Sequence, residues 1–596
     1  MDLGEEQGGL RPTKTGGGKQ TRSLRLEEKD GKEWALRSIE KFPEAAIPAD
    51  LRKTVVKDIV EQGVSAAYPY ASLSIQPMAK AAGIPLIRRK LVWVPADPRL
   101  GRFLDEFDST LAVLEELQPA NVKKTDNTDE LILKLARDND DHVDQKAVLK
   151  ARLLDNFLMD FDRHEDQWRW ATRDTGKGKI YYPIPRDHDQ MFFVNQGIIP
   201  YFVRKPWLVP EVQGFRASAD NIETFNKPAR NFDRFFLTEL DEDVWRNHID
   251  TFLTAMTDEV IERSLHLQPT EVQPYSMNRV INTLKNKKKY FRDNMMDYYR
   301  FISKKINVVG TNDRELFTVT KQEGGNVSVV VNKIDKTGAI SSKIYDRVFK
   351  PDVTQVIHLY ALGAEDKFVI SGGESPIKIR IIGGPGNDEF INEGSGGKVL
   401  LYDASYEENK ISGNPGLKNK FTPDAQGNRY DRLGYKYDIV KPSLSIAYNV
   451  DDGVYLGAQI EIIKQGFRKE PYRMRQYLMA SRALSTSSFR INYEGDYIKV
   501  IGNNDLLLRA DIRAPINVQN FFGLGNDTKF DENKPGKEKF YRARYDLANA
   551  SVLLRRQLQS WMRINYGPTF QYFRVEKESN QGKFISQPFN GLDQAN

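Results

Sequence analysis

The 596-residue chain carries 29% charged and 11% aromatic residues with a formal net charge of +6, the composition of folded domains and not of a disordered chain. It has no cysteine, which excludes disulfides and thiolate metal sites and fits an exported bacterial protein as well as a cytosolic one. At roughly 150 residues per domain the length predicts three or four domains; no run of about 18 apolar residues offers a helical membrane span, and the small basic excess is spread along the chain, so no nucleic-acid partner is expected.

Met1 to Gln20 is polar and Gly-rich, without the apolar stretch of a signal peptide. Gly16-Gly17-Gly18 leads through Ser23-Leu24-Arg25-Leu26 and the turn Lys29-Asp30-Gly31-Lys32 into Trp34-Ala35-Leu36-Arg37-Ser38. A glycine-rich turn, a strand, a hairpin and a strand carrying a cation is the order of a phosphate-covering loop and its lysine strand. Gly16, Gly17, Gly18 and Arg37 are therefore candidate ATP-binding residues, although three glycines alone are also common in linkers. Arg37 stands where lysine is expected, and a guanidinium is not equivalent to an ammonium.

Asp162-Arg163-His164-Glu165-Asp166-Gln167 and Pro185-Arg186-Asp187-His188-Asp189-Gln190 space carboxylates as phosphoryl transfer needs them. One carboxylate must orient a hydroxyl while others hold magnesium. Asp162, with His164 beside it, is the candidate catalytic residue. Gln167, five positions on, stands where kinases place a magnesium-binding Asn, and Asp187 and Asp189 follow the strand Lys179 to Ile184 as candidate magnesium ligands. The competing readings are a salt-bridged turn for the Asp-Arg-His cluster, hydrogen-bonded structural imidazoles for His164 and His188, and a degenerate fold without activity.

Residues 277–307 place Val280, Ile281, Leu284, Phe291, Met295, Tyr298 and Ile302 at helical spacing and predict a long connecting helix, with Lys285 and Lys287 to Lys289 on a solvated face. A boundary near 305 follows, because strands dominate after Gly310. From about 357 the chain nearly repeats itself in rungs about twenty residues apart, predicting a small parallel β-solenoid. Its segment Gly383-Gly-Pro-Gly-Asn-Asp-Glu-Phe390 resembles the calcium-binding nonapeptide of RTX-type β-rolls. That resemblance implies Ca²⁺ at Asp388, with Asp366 from the neighbouring turn; a metal-free β-turn is the equal alternative. From Lys441 onward, residues alternate in segments of about ten, including Met562, Ile564, Tyr566, Phe570 and Tyr572 on one face. Roughly seven such strands are the signature of a transmembrane β-barrel wall. Leu506-Leu507-Leu508 and Val552-Leu553-Leu554 carry apolar residues on both faces, as a soluble sandwich would.

Asp162-Arg-His with the later Asp187 resembles the HipA-type and secretory-pathway atypical kinases over about 200 residues. Phe161-Asp-Arg-His-Glu-Asp-Gln-Trp-Arg-Trp170, Tyr182-Pro-Ile-Pro-Arg-Asp-His-Asp-Gln190, Tyr448 to Gly457, Gly466 to Tyr472 and Asn520 to Asn526 are similar to outer-membrane proteins of the bacterial surface antigen (BamA-type) superfamily of Bacteroidota, across nearly the whole chain. The resemblance implies a multidomain protein: a kinase-like α+β domain (1–275), a helical connector (276–307), a β-rich domain with β-roll-like rungs (308–440) and an incomplete antiparallel outer-membrane barrel (441–596). It implies insertion, secretion or anchoring in outer-membrane lipid with the N-terminal half periplasmic. The alternative is an active kinase for a protein or small-molecule substrate, using Mg²⁺ and ATP, with a soluble β-rich accessory part. The family's phosphoesterase module, its signal peptide and about half its barrel strands are missing, so the chain reads as a fragment.

Overall fold

In a computed structural model of the protein, the structure describes all residues except 17–20, 42–66, 86, 120–121, 123, 398, 527, 529, 535, 537 and 589–596. They form two compact units, Met1–Tyr435 and Lys436–Asn596.

Two-residue alternation builds the first sheet. β1 (Arg11–Thr15), β2 (Thr21–Glu27), β3 (Glu33–Lys41), β4 (Arg89–Val94) and β5 (Thr110–Glu116) are antiparallel in the order β1-β2-β3-β5-β4. Leu24, Leu26, Trp34 and Leu36 bury one face with Val92, Val94 and Leu114. Because neighbouring side chains on a strand point oppositely, Arg25, Arg37, Arg89 and Glu115 are delivered together to the other face. A three-stranded sheet, β6 (His142–Val143), β7 (Trp168–Asp174) and β8 (Lys179–Pro185), ordered β6-β8-β7, carries the two acidic turns at the ends of its hairpin.

Behind that hairpin lies the main helical core. The helix Gln145–Leu158 is capped by the Asp144 carboxylate, which accepts from the Ala147 N–H, and it stops at Met159, whose φ of 51° is left-handed. Val148, Leu149, Leu153, Leu154 and Phe157 bury it against the helices Glu242–Ala255 and Gln273–Ser303. The last of these begins four residues before the predicted Met277, where Pro274 suits a first turn that has no use for its N–H. The predicted solvated lysine face holds except at one position. Lys285 and Lys288 pair with Asp258, whereas Lys287 is 3% exposed and donates to the Arg216 carbonyl at 3.3 Å. Burial alone pushes its ammonium down to about 7.

The rest of the first unit is two facing sheets. β9 (Lys305–Val309) turns into β10 (Glu315–Lys321), followed by the hairpin β11 (Val327–Ile334) and β12 (Ile340–Phe349). Three successive turns then run from β13 (Val356–Tyr360) to β14 (Lys367–Gly372), from β15 (Lys378–Ile382) to β16 (Glu389–Asn392), and from β17 (Val399–Tyr402) to β18 (Lys410–Gly413), with β19 (Leu417–Asn419) last. One sheet is all parallel, β19-β17-β15-β13-β9; the other is β12-β11-β10-β14-β16-β18, parallel from β10 to β18. Phe317, Phe368 and Phe390 stack in register between them, with centroids 4.7 and 5.2 Å apart, each buried ring contributing roughly 1.5–3 kcal/mol. Gly384, at φ +101°, lets its turn approach the Leu362 carbonyl, which a Cβ would meet at 2.5 Å. Tyr345 and Arg347 of β12 donate to the Thr238 carbonyl, and Arg347 also to Tyr299 and Ser303. These bonds join the parallel part to the helices in one unit.

The second unit is antiparallel throughout: β20 (Ile439–Asn449), β21 (Gly453–Lys464), β22 (Met474–Ala483), β23 (Phe489–Ile501), β24 (Asn504–Asn520) and β25 (Arg542–Gln559), with β26 (Met562–Tyr566) and β27 (Thr569–Val575) both paired to β25. Among the described residues no closed barrel is present; β20 is an open edge. Cross-strand register aligns Leu444, Ala458, Ala480, Ile491, Ile512, Ala548 and Tyr572 in one row. On that face Leu444, Ile446 and Tyr448 are 78%, 72% and 71% exposed. The opposite face carries ion pairs, among them Arg475–Glu461, Arg509–Asp496 and Arg555–Asp505.

Candidate active site

Asp155, near the end of the helix Gln145–Leu158 and fully buried, is the group on which both acidic turns hang. Its carboxylate lies 2.8 Å from Arg152 Nη1, 3.0 Å from Arg163 Nε and 3.1 Å from His188 Nε2. Arg152 also reaches Asp233 at 2.8 Å. Burial would raise the Asp155 carboxyl, but Arg163, His188 and Arg152 hold it below the ordinary carboxylate range. Burial and Arg163 push the His188 imidazole down to about 4, so it is neutral at pH 7 and donates to Asp155. His188 is thus a hydrogen-bonded structural imidazole.

From this hub the chain brings Asp162, Asp187 and Asp189 close enough that their charges bear on one another. Asp187 sits at φ +54°, a left-handed turn that an Asp adopts more readily than most residues. Its Oδ2 is 3.1 Å from Arg37 Nη1, while Arg37 Nε is 3.2 Å from Glu115, itself paired with Arg89 at 2.9 Å. Lys41 reaches Asp189 at 2.9 Å. Two cations of β3 therefore tie the first sheet to the turn after β8. Burial raises the Asp162 and Asp187 carboxyls; Asp189 adds to the shift of both, against the opposing pull of His164 and Arg37 respectively. Asp160, deeply buried behind Asp162, is raised well above its ordinary range by burial and its acidic neighbours. Crowded, partly desolvated carboxylates of this kind are relieved by a hard cation, and Mg²⁺ commonly takes one or two carboxylates and completes its shell with phosphate and water. Asp187 and Asp189 fit that use. Among the described residues no three His, Cys, Asp or Glu side chains are grouped to enclose a metal ion by themselves.

The other predicted residues are placed less centrally. His164 lies 3.9 Å from Asp162 and 3.8 Å from Asp166, and the Gln167 amide lies 3.3 Å from His164 Nε2. The Gly16 N–H donates to the Ser23 carbonyl at 2.6 Å; Gly17 and Gly18 fall outside the described residues. Sequence reasoning missed Asp155, Glu115 and Lys41. Glu115 carried a usable signal, since strand alternation puts it on the same face as Arg37.

Asp366 and Asp388 lie elsewhere in the unit, in the turns just before β14 and β16. The Asp366 carboxylate accepts the Glu315 N–H at 2.7 Å, Asp388 accepts the Asp366 N–H at 2.8 Å, and Asn409 accepts the Asp388 N–H at 2.7 Å. The side chains form a ladder of backbone acceptors, one per turn. Burial, with Glu315 and Asp388 as like charges, pushes Asp366 up to about 10. Burial likewise takes Asp403, beside Asp388, to about 9 and Glu315 to about 7. Unfolded carboxyls titrate near pH 4, so between there and about pH 10 the folded state holds more protons. The associated stability is full below the unfolded value and is lost as pH rises through the folded ones. The thermal midpoint of the first unit is expected to fall from pH 5 to pH 9, and less steeply in Asp403→Asn; a midpoint independent of pH in calorimetry would contradict this.

No family model matches the sequence, and no curated protein matches it. Among solved structures, the Helicobacter pylori proinflammatory kinase CtkA is similar at 12% identity and a TM-score of 0.27, over 49% of this chain and 96% of that one. The Rio2 kinase of Chaetomium thermophilum, in an ADP/Mg²⁺-phosphoaspartate complex, is similar at 13% identity and a TM-score of 0.23, over 47% of this chain and 71% of that one. Both likenesses are to kinases, each over about half of this chain, and neither is to an outer-membrane protein. Likenesses this weak leave the reading of the site to its own geometry.

Proposed function

We propose that the first unit is a phosphotransferase that uses MgATP. The observation that carries the reading is the convergence of Asp162, Asp187 and Asp189 opposite Arg37 and Lys41. Phosphoryl transfer is mostly positioning and charge neutralisation. In this reading Asp162 accepts the proton of a hydroxyl on a protein or small-molecule substrate. Asp187 and Asp189 hold Mg²⁺, which when bound neutralises phosphate charge, and Arg37 and Lys41 fix the turn that carries them. The test is MgATP binding and turnover to ADP by the full chain. Binding with turnover that depends on Asp162 supports the reading, and a chain that neither binds nor turns over MgATP overturns it.

A second reading concerns the second unit. Its exposed apolar row opposite an ion-paired face is the alternation of a sheet that meets lipid, in line with a surface-antigen-type protein anchored in an outer membrane with its N-terminal half periplasmic. Flotation of the full chain with liposomes is the expected behaviour; a chain that remains monodisperse without detergent and stays with the aqueous fraction would exclude it.

A further inference from the structure

Arg25 on β2, Arg169 on β7 and Arg186, the residue before Asp187, stand together near Glu115 and Glu33 but in ion pair with neither. Arg37, Arg89, Arg152 and Arg163 nearby each have a carboxylate partner. None of the three makes an ion pair or side-chain hydrogen bond among the described residues, and Arg186 Nε is buried with no acceptor. All three line two adjoining cavities of about 150 and about 690 Å³. Lys14 and Glu33 also line the smaller one. Asp129, Glu165 and Asp166 line the larger, where Arg432 pairs with Glu165 and Asp129. Burial lowers Arg186 to about 10, only partly opposed by Glu115 and reinforced by Arg37, Arg25 and Arg169; burial and Arg37 lower Arg25, against the opposing pull of Glu33 and Glu115.

Three guanidinium forks that repel one another in a half-buried cleft are an unusual use of arginine unless an anion completes them. Each fork offers paired N–H groups that match phosphate oxygens, and three of them exceed what a single carboxylate can satisfy. We propose that Arg25, Arg169 and Arg186 form a cradle for an anion bearing two or more phosphate groups. The cleft beside Asp187 then recognises its ligand by its phosphates and not by an apolar ring. This rests on the phosphotransferase reading for its meaning, since phosphates held by Arg186 would lie beside the Mg²⁺ that Asp187 would hold, but not for its chemistry.

The experiment is a calorimetric titration of the full chain with inorganic tripolyphosphate, ATP and adenosine at two salt concentrations, repeated with Arg25→Gln, Arg169→Gln and Asp187→Ala. Tripolyphosphate and ATP are expected to bind, more weakly at higher salt, and adenosine is not. Each arginine variant is expected to weaken tripolyphosphate at least about tenfold without lowering the thermal midpoint, because a repelling charge has been removed; Asp187→Ala retains it. Adenosine binding without tripolyphosphate binding overturns the cradle from the parent chain alone. So does tripolyphosphate affinity unchanged in both arginine variants, or a lowered midpoint that marks the guanidiniums as structural. Tripolyphosphate binding lost with the arginines but no turnover of MgATP keeps the cradle and sets aside the phosphotransferase. MgATP turnover that ignores the arginines does the reverse.

Discussion

Replacing Asp162 by asparagine is expected to lower MgATP turnover by the full chain about 10²–10⁴-fold, the range for loss of a general base, while changing MgATP affinity less than about threefold. The amide keeps the shape of the side chain, and the Asp162 N–H still donates to Asp160 Oδ1, at 3.2 Å in the parent. What is removed is the capacity to accept a proton. Because burial and Asp189 raise the Asp162 carboxyl, the parent's turnover should also increase with pH through that raised value, and the variant's should not. Parallel losses of affinity and turnover would make Asp162 a binding group. Equal turnover in parent and variant would leave the cleft without a proton acceptor and remove the proposed role.

The largest effect on stability is expected at Asp155. Asp155→Ala leaves Arg152 and Arg163 buried without the carboxylate between them, and breaking a buried charge pair from one side costs about 3–5 kcal/mol. The loss should appear as a lower urea midpoint for the first unit. Asp155→Asn should cost less, since the amide oxygen can still accept from His188 and the side chain still fills its site. The same variant should abolish MgATP turnover even under conditions where it stays folded, because Arg163 adjoins Asp162 and His188 adjoins Asp187. A variant that is destabilised but fully active would separate the hub from the cleft.

Asp162, Asp187 and Asp189 could be singled out from the sequence because their spacing is local, and Arg37 because strand alternation fixes which way it faces. Asp155 could not. An aspartate in an amphipathic helix reads as surface until one knows that Arg163 and His188, from two separate turns, fold over it. Lys287 is the same lesson reversed: within a run of lysines its burial depends on the neighbouring chain at Arg216. The repeat around Gly383 announced stacked turns, since glycine is needed where Gly384 meets the Leu362 carbonyl. The calcium-turn and metal-free readings predict the same recurrence at Asp366 and Asp388, because each accepts a backbone N–H through Oδ1 and has no protein partner at Oδ2 among the described residues. In the second unit, alternation is visible along the strands from Ile439 onward; it predicts roughly seven, and the described residues form eight. Which face would meet which surroundings depended on register between strands, and register is not written in any one of them.

The acceptor ladder from Glu315 through Asp366 and Asp388 ends at Asn409, and that ending limits how long such a stack can grow. Each further turn built on aspartate would bury another carboxyl beside its like and demand another proton, so the stack becomes harder to keep at neutral pH as it lengthens. An asparagine offers the same carbonyl oxygen to the next N–H and adds no charge. Asn409 therefore accepts at the last rung without adding a buried carboxyl, and a copy of the asparagine turn would lengthen this part of the molecule at a smaller cost in bound protons than a copy of the aspartate one.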